Sequence, residues 1–236
     1  MAATRLIVDG LWQINLGAVN AFLLDAGELT LIDTGLPESA DKIRAAVESL
    51  GRTPSEIKHV IVTHCHPDHA GGLAAIKRLT TAPVYMHAAD AAMVRQGDGK
   101  RPLTPAPGLL RYLLFNLFVA RRSGAIEACP IDYEVGDGVE LPIAGGLKAI
   151  HVPGHCAGQL AFLWPRRGVL FAADAASNMP GLGLSLGYED LQEGLKSLAR
   201  LSALEFEIAC FGHGRAITTS AAARFKEKWA AGQRRP

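Results

Sequence analysis

Short apolar runs broken at Asp9-Gly10, Leu16-Gly17 and Ala26-Gly27 fill the first 35 residues. Such spacing predicts a meander of β-strands joined by tight turns. From Pro37 the period changes: Ile43, Val47 and Leu50 recur at helical spacing, and Gly51 ends the helix. His59 to Thr63 then reads as strand, Asp68 to Leu79 as helix, Ala82 to Met86 as strand and His87 to Arg95 as helix.

Residues 98–124 depart from that rhythm. Pro102, Pro105 and Pro107 precede the apolar stretch Leu109 to Ala120, which predicts a helical insertion. Afterwards the strand pattern returns near 131–133, 147–152, 159–164 and 169–171, divided by glycine-containing turns. A helix follows with Leu191, Leu195, Leu198 and Leu201 on one face, then a strand over 207–211 and a terminal helix. Strands then helices, twice over and without a linker, predict an α/β chain forming a single domain over 1–236. Its two similar halves would pack sheet against sheet with helices outside.

Composition narrows the partners. The 236 residues suffice to bury a core, and 49% hydrophobic against 20% charged residues excludes a disordered chain. Lys+Arg 24 against Asp+Glu 23 gives a net charge of +1, which argues against nucleic acid as a partner. Cys65, Cys129, Cys156 and Cys210 lack CxxC spacing and read as reduced thiols. The first ten residues lack the apolar core of a signal peptide, so a cytoplasmic location is expected. Leu109 to Ala120 is interrupted by Arg111 and Asn116 and falls short of the roughly 18 apolar residues of a transmembrane segment.

The chemistry concentrates in Thr63-His64-Cys65-His66-Pro67-Asp68-His69, directly after an apolar strand. His64 and His66, at i and i+2, face the same side of an extended loop, while Asp68 and His69 begin a helix and turn toward a second point. Two metal ions fit that arrangement, and imidazole with carboxylate suits zinc without excluding iron, manganese or cobalt. His155, Asp174 and His213 each follow a predicted strand beside small residues, where loops assemble sites. Two zinc ions would lower the pKa of a shared water from 15.7 to about 7. The resulting hydroxide would attack a carbonyl or phosphoryl group, with Asp68 or Asp174 moving the proton to the leaving group.

In their order, Asp33 within Leu-Ile-Asp-Thr-Gly, the His64 to His69 cluster, His155, Asp174 and His213 resemble the five motifs of the metallo-β-lactamase superfamily. The resemblance implies a four-layer αββα sandwich with metals at one edge of the sheets. It implies that His64, His66 and His155 hold one zinc, that Asp68, His69 and His213 hold the other, and that Asp174 bridges them. Asp33 would orient the ligand loop. The function implied is hydrolysis of a small ester, lactone or thioester by a metal-bridging hydroxide, as in the glyoxalase II-like and lactonase-like branches. Acyl-homoserine lactonases carry a catalytic tyrosine where Ser177 stands, leaving Tyr188 or Asn178 to supply its hydrogen bond. The alternative is a persulfide dioxygenase with one iron on His64, His155 and Asp174. β-Lactamase and phosphodiesterase or nuclease activity rank lower.

Outside these motifs, Cys65 points away from the metals by i+1 alternation, and Cys156 is read the same way. His59, His87 and His151 are read as structural. In the insertion, Leu110, Leu113, Leu114, Leu117 and Phe118 form an apolar face. Packing on the sheet or on a second subunit, as in a homodimer, is its first reading; a lid over a hydrophobic small-molecule substrate is the second.

Overall fold

In a computed structural model, residues 3–230 are described; Met1 and Ala2, part of the stretch read for a signal peptide, lie outside them. Seven strands form the first sheet: β1 (Ala3–Val8), β2 (Leu11–Asn15), β3 (Asn20–Asp25), β4 (Leu29–Ile32), β5 (Ile57–Ile61), β6 (Val84–Met86) and β7 (Tyr133–Glu134). They pair in chain order, antiparallel as far as β4 and parallel beyond it. Five strands form the second sheet: β8 (Glu140–Leu141), β9 (Leu147–His151), β10 (Leu160–Trp164), β11 (Val169–Phe171) and β12 (Ile208–Cys210). Here β8 to β11 are antiparallel neighbours, and β12 lies parallel to β11.

Alternation along the strands sorts the apolar side chains into three layers. Phe22, Leu24, Ile32 and Ile61 of the first sheet meet Leu160, Phe162, Trp164 and Phe171 of the second, with Phe22 and Phe171 edge to face at 5.5 Å. On the outer face of the first sheet, Leu23, Leu31 and Val60 pack on helices α1 (Ala40–Ser49), α3 (Leu73–Thr80) and α4 (Ala88–Gln96). Ile150, Leu170 and Ala209 pack beneath α6 (Leu191–Ser202) and α7 (Ala221–Trp229). The result is the expected αββα sandwich.

Some element boundaries differ from the sequence reading. The helix expected over Asp68 to Leu79 is two, α2 (Pro67–Ala70) and α3, because the Gly72 amide donates to Gly35 O at 3.1 Å and ties that turn to the β4 loop. The buried face of α6 includes Gly194 and Ser197 with Leu198 and Leu201, while Leu191 and Leu195 are half-buried. That rotation brings α6 backbone to backbone with the loop before His155: a Cβ on Gly154, whose φ is +130°, would lie 2.2 Å from Gly194 N.

The insertion contains α5 (Leu109–Phe118). A Gly99 N to Gly124 O bond of 2.8 Å closes its base, and Thr104–Pro105 pairs with Gly187–Tyr188. The expected packing of its leucine face on the sheet is not found: Leu110, Leu113, Leu117 and Phe118 are exposed, and Phe115 is the residue that buries. An Arg111 at the core-facing side and a cavity beneath leave the leucines nothing to pack on.

Candidate metal centre

Strands β9, β11 and β12 run in one direction, and β4 runs parallel to β5. The segments that follow these five carry Asp33, the His64 to His69 cluster, His155, Asp174 and His213, which converge at one edge of the sandwich. His64, His66, His69, His155, Asp174 and Asp33 are buried; Asp68 and His213 are partly open to a cavity of about 660 Å³. His66, Asp68, His155, Asp174 and His213 line its floor, and Leu109, Leu110, Leu114, Phe118, Met179 and Leu184 are among its walls.

Hydrogen bonds on the far side of four of the five rings fix which nitrogen faces the centre; His66 is the exception, its Nδ1 lying 3.0 Å from His155 Nε2. Thr63 Oγ1 lies 2.9 Å from Asp33 Oδ2, a carboxylate that can only accept, so the hydroxyl donates there. The 3.0 Å contact between Thr63 Oγ1 and His64 Nδ1 must then run from Nδ1–H to the hydroxyl oxygen. His69 Nδ1 donates to Asp33 Oδ2 at 2.8 Å, His155 Nδ1 to Gly187 O at 2.7 Å and His213 Nδ1 to Ala18 O at 2.7 Å. Each bond leaves the Nε2 lone pair for the interior.

Four inner atoms lack protein partners. His64 Nε2, His66 Nε2, His69 Nε2 and Asp174 Oδ1 are buried without a hydrogen bond, a costly state for polar atoms unless a ligand satisfies them. Ligand atoms of His64, His66 and His155 lie within 4.8 Å of one another, as do those of Asp68, His69 and His213. Asp174 stands between the groups, with Oδ1 3.6 Å from His69 Nε2 and Oδ2 3.6 Å from His155 Nε2 and 3.1 Å from His213 Nε2. Nitrogen and oxygen donors so grouped fit a pair of first-row divalent ions.

The local electrostatics agree. Burial, reinforced by neighbouring imidazoles, holds His64 far below its ordinary pKa and pushes His66 down to about 3, which keeps both in the neutral ligand form. At His69 burial opposes charge, but Asp33 and Asp174 outweigh it and raise the pKa to about 9; His213 is raised beside Asp174 and Asp68. At those two rings a proton and a metal ion compete for one lone pair.

Strained backbone delivers two of the acids. Asp33 has φ 62° and Ala173, just before Asp174, has φ 48°. Gly212 leaves room for the centre: a Cβ there would lie 2.1 Å from Asp174 Oδ1 and 2.5 Å from His69 Cε1.

One support was invisible in the motifs. Asp90, fully buried on α4, accepts from Cys65 N at 3.0 Å and Gly158 N at 3.1 Å, and pairs with Arg101 at 2.7 Å. Arg101 also pairs with Glu189 at 3.3 Å. This network joins the loops bearing His64, His66 and His155 from behind. Cys65 and Cys156 belong to it, Sγ to Sγ 3.6 Å apart, with Cys156 Sγ 3.0 Å from Asp90 Oδ2. In the sequence Asp90 passes for an ordinary acidic residue in a first helical turn.

The other polar residues hold structural posts. His87 and His151 stack at 4.2 Å, and His59 lies between Glu28 and Tyr85. Neither substitute for the lactonase tyrosine is free: Tyr188 is fully buried with its hydroxyl donating to Ala175 O, and Asn178 donates to Arg215 O. Ser177 itself lines the cavity.

Fold and centre together define an αββα protein with a cluster geometry suited to a dinuclear metallohydrolase site. The model of the metallo-β-lactamase superfamily matches residues 14–213, and the chain belongs to that superfamily. It is 31% identical to YobT of Bacillus subtilis over 183 residues, 74% of this chain and 70% of that one. It is 25% identical to an atrochrysone carboxyl ACP thioesterase of Aspergillus fumigatus, covering 87% of this chain but only 39% of that protein. A metallo-β-lactamase structure from Cronobacter sakazakii superposes with TM-score 0.70 at 27% identity, covering 89% of this chain and 80% of that one.

Proposed function

We propose that the chain is a dinuclear zinc hydrolase of a small ester, lactone or thioester. The observation that carries this reading is the convergence of the His64, His69, His155 and His213 Nε2 atoms, each ring held by a bond at Nδ1, around the buried Asp174 carboxylate. In it His64, His66 and His155 would hold one ion, Asp68, His69 and His213 would hold the other, and Asp174 stands where it could serve either. Zinc held there would supply Lewis acidity and lower the pKa of water toward about 7.

Asp68 is the proton carrier. Although burial acts to raise its pKa, the bond to His213 and the charges of His69 and His213 hold its carboxyl well below the usual range. It is therefore ionised at neutral pH, opens on the cavity, and can take a proton from water and pass it to a departing alkoxide or thiolate. Asp174, also held low, stays a carboxylate. The apolar walls suit an acyl group, and the thioesterase among the relatives supports a thioester. The cysteine pattern supports a cytoplasmic location.

Metal analysis of the purified chain, with a panel of lactones, thioesters, esters, β-lactams and phosphodiesters, tests the reading. About two zinc per chain with turnover of a carbonyl ester or thioester is expected. One iron per chain with oxygen uptake on glutathione persulfide would replace it, and turnover surviving His66→Ala with Asp68→Ala would refute the site.

A further inference from the structure

We propose that α5 is a docking element that seats the mouth of the cavity on an anionic lipid surface. Among the described residues eleven large apolar side chains are exposed, and six of them are on this one helix: Leu109, Leu110, Tyr112, Leu113, Leu117 and Phe118. Leu109, Leu113 and Leu117, at i, i+4 and i+8, form a single stripe and are 77%, 56% and 70% exposed. No charged residue interrupts that outer face; Arg111, the one charge in the helix, is half-buried and lines the cavity. A contiguous patch of this kind marks a binding surface.

Charge selects the occupant. The stretch from Gly99 to Ile126 holds five of the chain's 24 Lys and Arg and none of its 23 Asp and Glu, so the rest of the chain is acidic overall. Arg101 is neutralised by Asp90 and Glu189. Lys100 Nζ donates to Val119 O at 2.9 Å and Arg122 O at 3.1 Å, holding the end of α5. Arg121 and Arg122 follow it, exposed. A second copy docked on the same face would set these arginines against their own counterparts with no acid from this stretch between them. An anionic bilayer pairs them and takes up the leucines, which is how an amphipathic helix lies in an interface.

The placement has a consequence for access. Leu110, Leu114 and Phe118 continue the apolar surface from the outer stripe into the cavity wall. An acyl chain leaving the bilayer would therefore reach the floor without crossing water. The docking stands independently of the reaction proposed above, because binding to vesicles is read without turnover.

The test is co-sedimentation of the metal-loaded full chain with vesicles of phosphatidylglycerol and phosphatidylcholine, and with phosphatidylcholine alone. Binding to the anionic vesicles is expected, about tenfold or more weaker on the neutral ones and weakened by salt. Leu113→Glu with Leu117→Glu, both outside the cavity wall, should abolish it while thermal unfolding and metal content stay unchanged. Arg121→Glu should weaken it at least about fivefold. Absence of binding to anionic vesicles, or binding indifferent to the leucine changes, would overturn the proposal. So would a dimer in sedimentation that the leucine changes split, since that assigns the face to a second copy.

Discussion

Asp33 and His69, 36 positions apart, share a buried hydrogen bond of 2.8 Å from Nδ1 to Oδ2. The other oxygen of Asp33 accepts from Thr63 N at 2.8 Å, so one carboxylate orients rings of both halves of the ligand cluster. Asp33→Ala should lower metal affinity about 10- to 100-fold with the fold retained. Competition against a chromophoric chelator measures it; an unchanged affinity would remove Asp33 from the site's support.

Asp90→Ala should destabilise the protein by about 3 kcal/mol or more, since it strips a buried ion pair and two amide bonds at once. Denaturant unfolding gives the magnitude. Because Asp90 ties the His64 to His66 loop to the His155 loop, metal content should fall as well. A variant that unfolds early yet loads metal normally would confine Asp90 to stability.

Gly212→Ala places a methyl where Asp174 Oδ1 and His69 now sit. Hydrolysis should drop about a hundredfold, the scale of a misplacement near 1 Å. Circular dichroism should be little altered. Full activity would mean that the loop yields freely and that close packing here has no catalytic weight.

Asp132 predicts a pH dependence away from the centre. Burial acts to raise its pKa, but Lys77 and the Val84 amide, at 2.8 Å, lower it. A folded-state pKa below the unfolded one contributes stability that is present above the unfolded value, about 3.9, and lost as pH falls through the folded value. With a side chain 37% exposed, solvent screening holds the contribution to about 1 kcal/mol. Asp132→Asn should therefore cost stability at pH 7 and converge with the parent in acid; equal cost at both pH values would contradict the assignment.

Much of the architecture was legible because its determinants are local. Turn pairs such as Asp9-Gly10 and the Ile43, Val47 period report on backbone geometry within a few residues. The break at Gly71-Gly72 was not legible, since the Gly35 carbonyl that enforces it comes from another loop. Nor was the outward turn of α5, where helical spacing names a face but not what lies opposite it.

The sequence by itself named the candidate donors, because ligand chemistry resides in side-chain type and a strand end presents i and i+2 to one side. Only the tertiary structure decided which ring nitrogen faces inward. That choice is made by Gly187 O and Ala18 O, backbone carbonyls brought up from 32 and 195 positions away. Every residue has such a carbonyl, so its role leaves no mark in the chain. The same holds for Asp90, whose burial among partners distant in sequence turns an ordinary helical acid into the brace behind the centre.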